Sequence, residues 1–134
     1  MTDRVDAIKA YMRALDAGDY DTIISLFAAD NQVTSPFLGT MPAADFFGQL
    51  ARASSNNDIT PIDVFVSESH SDHAVAYFQY DWTMADGSVV VFKAMDLFRF
   101  EPDGSRFRSL DIVYDTHPVR SEHGNKYETL AAGD

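Results

Sequence analysis

The sequence predicts an α+β domain: three N-terminal helices packed on one face of a strongly curved, mostly antiparallel β-sheet. Three observations carry this expectation. Apolar residues recur at three- and four-residue spacing through the first third of the chain and at two-residue spacing after Pro61. The change of period follows a polar run, Ser54-Ser55-Asn56-Asn57-Asp58. Breaks rich in Gly, Pro and Asp then cut the second half into strand-length pieces.

The elements follow in order. From Asp3 to Ala17, the residues Val5, Ile8, Met12 and Leu15 share one helical face, with Thr2 or Asp3 available as a cap and Gly18 as the stop. Asp19 opens a second helix, expected over Tyr20–Ala29, with Ile23, Leu26 and Phe27 inward. Asp30-Asn31 breaks it, and Gln32–Thr34 reads as a short strand ending before Pro36. A third helix, from about Pro42 to Ala53, carries Phe46, Phe47 and Leu50, with the proline in its first turn.

Beyond the polar run, Ile62, Val64 and Val66 alternate with Asp63, Phe65 and Ser67. Ala74, Ala76, Phe78, Tyr80 and Trp82 alternate with Val75, Tyr77, Gln79, Asp81 and Thr83, and the stretches Ser88–Glu101 and Arg106–Tyr114 continue the pattern. Turn-forming residues at 68–72, 86–87 and 102–104 separate these pieces into a four-stranded antiparallel meander. Residues 1–118 read as a single domain and 119–134 as a polar tail.

Composition narrows the function. At 134 residues the chain buries roughly two-thirds of its unfolded surface without a staple. The absence of cysteine excludes disulfides, cysteine-ligated zinc, iron–sulfur clusters and a thiol nucleophile. A formal charge of −11 argues against nucleic-acid and membrane-surface partners. The start of the chain lacks a basic, then apolar, leader and no span reaches bilayer length, so the expected location is cytoplasmic. With no phosphate-binding glycine loop or nucleophile elbow, no cofactor is expected.

The order of elements and their punctuation resemble the NTF2-like superfamily, in its SnoaL-like and ketosteroid-isomerase-like branch. The residues that carry this are Ala17-Gly18-Asp19-Tyr20-Asp21, Leu26-Phe27-Ala28-Ala29-Asp30, Ser35-Pro36-Phe37-Leu38-Gly39 and Asp96-Leu97-Phe98-Arg99-Phe100. The resemblance implies a cone: a bent sheet wrapped around the helices and open at one end to a deep apolar pocket. It implies a cofactor-independent enzyme of isomerase, cyclase, dehydratase or lyase type acting on a hydrophobic cyclic or aromatic molecule, with a non-catalytic binding or protein-interaction module as the alternative.

By the same resemblance, Tyr11 stands where the isomerase branch keeps a substrate-oxygen-binding tyrosine, and Asp96 where it keeps a buried carboxylic acid. Such a pair stabilises developing enolate or phenolate charge. Asp96 also stands on its own reading, because it falls in the apolar register of Ala94, Phe98 and Phe100, where a carboxyl must be neutral or paired. The branch's aspartate base is replaced by Ser35, and its supporting tyrosines by Phe27 and Phe47. His117, at the end of the last strand, is the candidate replacement base.

Ser35, Phe37, Phe46, Phe47, Phe78, Tyr80, Trp82, Phe98 and Tyr114 are the expected substrate-binding lining, being more aromatic surface than a small core uses. No metal site is expected, since His70 and His73 in a turn do not converge without a distant third ligand. Arg99 and Arg108 are expected to point outward, as are Asp63 and Asp81. The outer sheet face, with Phe65, Val75, Tyr77, Gln79, Val89 and Val91, is apolar enough to predict a twofold homodimer.

Overall fold

Helix α1 (Arg4–Ala17) buries Ala7, Ile8, Tyr11, Met12, Ala14 and Leu15 along one stripe. The computed structural model describes residues 4–104 and 106–120, so the expected caps Thr2 and Asp3 and the tail beyond Arg120 lie outside the described residues. Gly18 ends α1 at φ 67°, a left-handed conformation that side chains with a Cβ resist. Asp19 then caps α2 (Tyr20–Ser25), its carboxylate accepting from the Thr22 amide at 3.2 Å.

The second helix does not run to Ala29: it stops at Ser25, and Phe27–Ser35 forms strand β1. The cause is tertiary, because the Phe107 amide donates to the Leu26 carbonyl at 3.0 Å and Phe27 pairs with Phe107. A register shift between Phe27 and Gln32 absorbs the remaining residues. There Asn31 donates to the Ala28 carbonyl at 2.6 Å and accepts from the Ala43 amide at 2.8 Å, tying β1 to the start of the next helix.

Strand β2 (Gly39–Met41), helix α3 (Ala43–Ala53) and strands β3 (Ser54–Val66), β4 (His73–Met84), β5 (Val89–Phe100) and β6 (Phe107–Tyr114) complete the fold. Among the described residues the sheet has six strands, the expected short strand and four-stranded meander together with β2, in the order β2-β1-β6-β5-β4-β3. Every pair is antiparallel except β1 with β6, which is parallel. The polar run Ser54–Asp58 is not a break but the first part of β3, with Asn57 opposite Trp82. Ladder pairing decides the matter there: Asn57 and Ile59 turn inward while Asn56, Asp58 and Thr60 stay in water. A second register shift lies between Pro61 and Asp63, so Ile62 falls outside the ladder and is exposed.

The inner face of the sheet divides into two halves. Towards one end, Phe27, Phe47, Phe98, Phe100 and Phe107 close around Tyr11, with Tyr11 and Phe98 rings 5.0 Å apart and Phe98 and Phe107 rings 4.5 Å apart. Towards the other, Phe78, Tyr80, Trp82, Phe92 and Tyr114 surround a cavity. The architecture is therefore the expected α+β cone. Val119, assigned to the tail at sequence level, packs against the core, in the turn where its amide donates to the Thr116 carbonyl at 3.0 Å. Among the described residues no helix is long and apolar enough to cross a membrane.

Candidate functional site

The cavity has a volume of about 870 Å³ and opens between α3, the β1–β2 turn and the ends of β4, β5 and β6. Alternation along the strands builds its wall. On β5 the inward residues Val90, Phe92, Ala94 and Asp96 line it, whereas Phe98 and Phe100 do not. On β4 the lining is Phe78, Tyr80 and Trp82, and on β6 it is Ile112 and Tyr114. Asp96 therefore marks the boundary at which the hollow gives way to solid core. Ser35, Phe37 and Leu38 line the rim from the β1–β2 turn; the Ser35 hydroxyl accepts from the Leu38 amide at 3.3 Å.

Asp96 is only 1% exposed. The Tyr11 hydroxyl donates to its Oδ2 at 3.2 Å, and its Oδ1 is buried without a hydrogen-bond partner among the described residues. Burial raises the Asp96 pKa to about 7, with the Tyr11 hydrogen bond pulling the other way. Burial likewise pushes the Tyr11 phenol well above its ordinary range, helped by the charge of Asp96. In the neutral carboxyl, Oδ2 is occupied as an acceptor, so the acidic proton belongs on Oδ1. The floor of an apolar hollow thus carries an acid able to donate a hydrogen bond near neutral pH.

Tyr80 is held differently. Its hydroxyl donates to Asn57 Oδ1 at 2.7 Å, while the Asn57 amide donates to the Leu15 carbonyl at 2.9 Å and to the Tyr20 hydroxyl at 2.8 Å. Burial raises the Tyr80 pKa, so this phenol stays protonated. Trp82 donates through Nε1 to Ser54 Oγ at 2.8 Å, and Ser54 in turn donates to the Leu50 carbonyl at 2.6 Å. Asn57 and Ser54 escaped the sequence reading because they lie in the polar run. The signal that finds Asn57 is its two-residue offset from Ile59, an inward apolar residue.

Of the expected lining, Ser35, Phe37, Phe46, Phe78, Tyr80, Trp82 and Tyr114 border the cavity. Phe47 and Phe98 do not: both are fully buried in the core against the Tyr11 ring. Tyr11 itself is absent from the lining and reaches the site through Asp96. His117 is not brought in. It is exposed past the end of β6, in a turn where its backbone amide donates to Asp115 Oδ1 at 3.0 Å. Met84, Gln49, Leu50 and Val119 are lining residues that the sequence reading did not single out.

The remaining charged clusters lie elsewhere. Arg99 pairs with Asp111 at 3.0 Å and Arg108 with Asp72 at 3.5 Å, and none of the four lines the cavity. His70 and His73 stack with ring centroids 4.6 Å apart. Among the described residues no group of three His, Cys, Asp or Glu side chains could hold a metal ion.

Residues 8–108 match the model of the SnoaL-like domain. The chain belongs to the SnoaL-like family. Solved structures agree on the fold of this SnoaL-like chain. It is similar to a protein of ketosteroid isomerase-like fold from Catenulispora acidiphila DSM 44928, crystallised with trimethylamine, at 18% identity and TM-score 0.74 over 89% of this chain and 92% of that one. It is similar to SalBIII, an epoxide hydrolase/cyclase-like enzyme in pyran ring formation in the polyether salinomycin, at 16% identity and TM-score 0.73 over 86% and 92% of the two chains. It is also similar to AclR, a hydroxylase candidate from Streptomyces galilaeus, at 14% identity and TM-score 0.72 over 90% and 95%. No curated protein matches the SnoaL-like sequence.

Proposed function

We propose that this chain is a cofactor-independent enzyme of isomerase, cyclase, dehydratase or lyase type. Its substrate is a hydrophobic cyclic or aromatic molecule carrying a carbonyl or phenol oxygen. The observation that carries the reading is the unpartnered Oδ1 of Asp96 on the floor of an aromatic-lined cavity of about 870 Å³. A substrate oxygen placed there receives the carboxylic proton in a hydrogen bond that strengthens as negative charge develops on it. The similarity to an enzyme of pyran ring formation is in keeping with this class of chemistry.

The test uses a nitrophenol, whose absorbance reports ionisation. The wild-type protein is expected to bind it with a shift toward the phenolate spectrum, and Asp96→Asn to weaken binding roughly tenfold or more, the worth of one charge-assisted hydrogen bond. Equal affinity in the two proteins would overturn the assignment. A binding module using the same cavity is the second reading. It is favoured by the lack, among the described residues, of a second buried carboxylate or a histidine in the lining: the other lining carboxylate, Asp86, is exposed and accepts from Ser88 at 2.6 Å. Turnover of any ring substrate by the wild type, lost in Asp96→Asn, decides for the enzyme.

The same proposal pairs two copies of the chain through the outer sheet face. Phe65, Val91, Met95 and Val113 stand exposed there, a set of large apolar groups that water solvates poorly. Sedimentation is expected to give twice the chain mass for the wild type and a single-chain mass for Met95→Glu. A single-chain mass for both would exclude the pairing.

A further inference from the structure

Three tyrosines feel the charge of Asp96, one each from α1, β4 and β6: Tyr11, Tyr80 and Tyr114. Their hydroxyls are committed differently. That of Tyr11 is spent on Asp96 Oδ2, and Tyr11 does not line the cavity. That of Tyr80 is spent on Asn57. The Tyr114 hydroxyl makes no hydrogen bond among the described residues, and Tyr114 lines the cavity.

Register places Tyr114 close to the carboxyl. Asp96 pairs with Ile112 and Ala94 with Tyr114, so Asp96 and Tyr114 are diagonal neighbours on the inner face of adjacent antiparallel strands. Such diagonal Cβ atoms are about 7–8 Å apart, within reach of a phenol. The small Ala94 stands opposite Tyr114 and Ile112 opposite Asp96, and both line the cavity. The Tyr114 ring is fixed by stacking on Phe92, with centroids 4.5 Å apart. Among the described residues no basic side chain lines the cavity to compete with these two groups for an anionic oxygen.

We propose that Tyr114 is the second hydrogen-bond donor of the site: its phenol and the Asp96 carboxyl converge on one oxygen of a planar ring compound, and Tyr11 is a positioning residue that orients the carboxyl. The inference rests on the functional reading above and departs from the sequence-level pairing of Tyr11 with Asp96. It also narrows the ligand to a ring whose oxygen can accept two hydrogen bonds at once, such as a phenolate, an enolate or a ring ketone. Burial keeps the Tyr114 phenol in its donating form.

The experiment is nitrophenol binding by absorbance, from pH 5 to pH 9, for the wild type, Tyr114→Phe, Tyr11→Phe and Asp96→Asn. Tyr114→Phe keeps the ring stacked on Phe92 and is expected to weaken binding roughly tenfold at pH 6, with a smaller phenolate shift. Tyr11→Phe is expected to weaken binding at pH 6 less than Tyr114→Phe does and to move the pH midpoint of binding upward, because the carboxyl loses its anion-stabilising partner. Thermal unfolding of each variant shows that it is folded. Wild-type affinity in Tyr114→Phe alongside a loss in Asp96→Asn would overturn this inference and leave the functional reading standing. A loss in Tyr11→Phe equal to that in Tyr114→Phe, without a midpoint shift, would make Tyr11 the donor and overturn it too. Unchanged binding in all three variants would sink the functional reading itself.

Discussion

Raising the pH from about 4 to about 8 is expected to cost this protein roughly 4 kcal/mol of stability through Asp96 alone. The sign follows from burial. Folding raises the carboxyl pKa from 3.8 to about 7, so the folded state keeps a proton that the unfolded chain has released. The contribution is complete below about pH 4, where both states are protonated, and declines as pH rises towards 7. Above that the folded carboxyl ionises as well and nothing further is lost. Asp96→Asn preserves an acceptor for the Tyr11 hydroxyl and removes the titration. The variant should therefore gain on the wild type steadily across this window. Urea unfolding at a series of pH values measures the difference; parallel curves would mean that the carboxyl is ionised in the fold.

The second large effect concerns a residue that the sequence assigned to the wrong place. Phe98 was expected in the substrate-binding lining, yet its ring is fully buried between Tyr11 and Phe107. Phe98→Ala is expected to cost about 3–5 kcal/mol, the transfer of the ring plus the void it leaves. Phe37→Ala, at the exposed rim of the cavity, should stay within about 0.5 kcal/mol of wild type. Denaturant midpoints check both. A Phe98→Ala protein as stable as Phe37→Ala would show that the ring lines open space after all.

The two phenylalanines show how far alternation reads. Phe78 and Phe98 occupy equivalent inward positions on neighbouring strands, and their sequence signals are indistinguishable. One borders the cavity and the other fills the core. Period-two patterning reports which face a residue occupies; it carries no information on how far along the strand the helices reach. The same limit explains β1. Local signals after Asp19 favour a helix continuing to Ala29, but pairing with a strand some eighty residues later draws Phe27 into the sheet. Asn57 is a third case, a polar residue that sequence places in water and that Tyr80, Tyr20 and Leu15 satisfy indoors.

By itself the sequence determined the α+β class, helices α1 and α3, the inward faces of β4 and β5, and the burial of Asp96 in an apolar register. Each of these follows from short-range periodicity and from the cost of hydrating or dehydrating a side chain. Tertiary structure alone decided the parallel β1–β6 pairing, the place where core ends and cavity begins, and the commitments of the three phenols around Asp96. Those depend on groups such as Tyr11 and Asp96, 85 residues apart in the chain, being brought to 3.2 Å. No local pattern encodes that distance; it is set by how the sheet closes over α1.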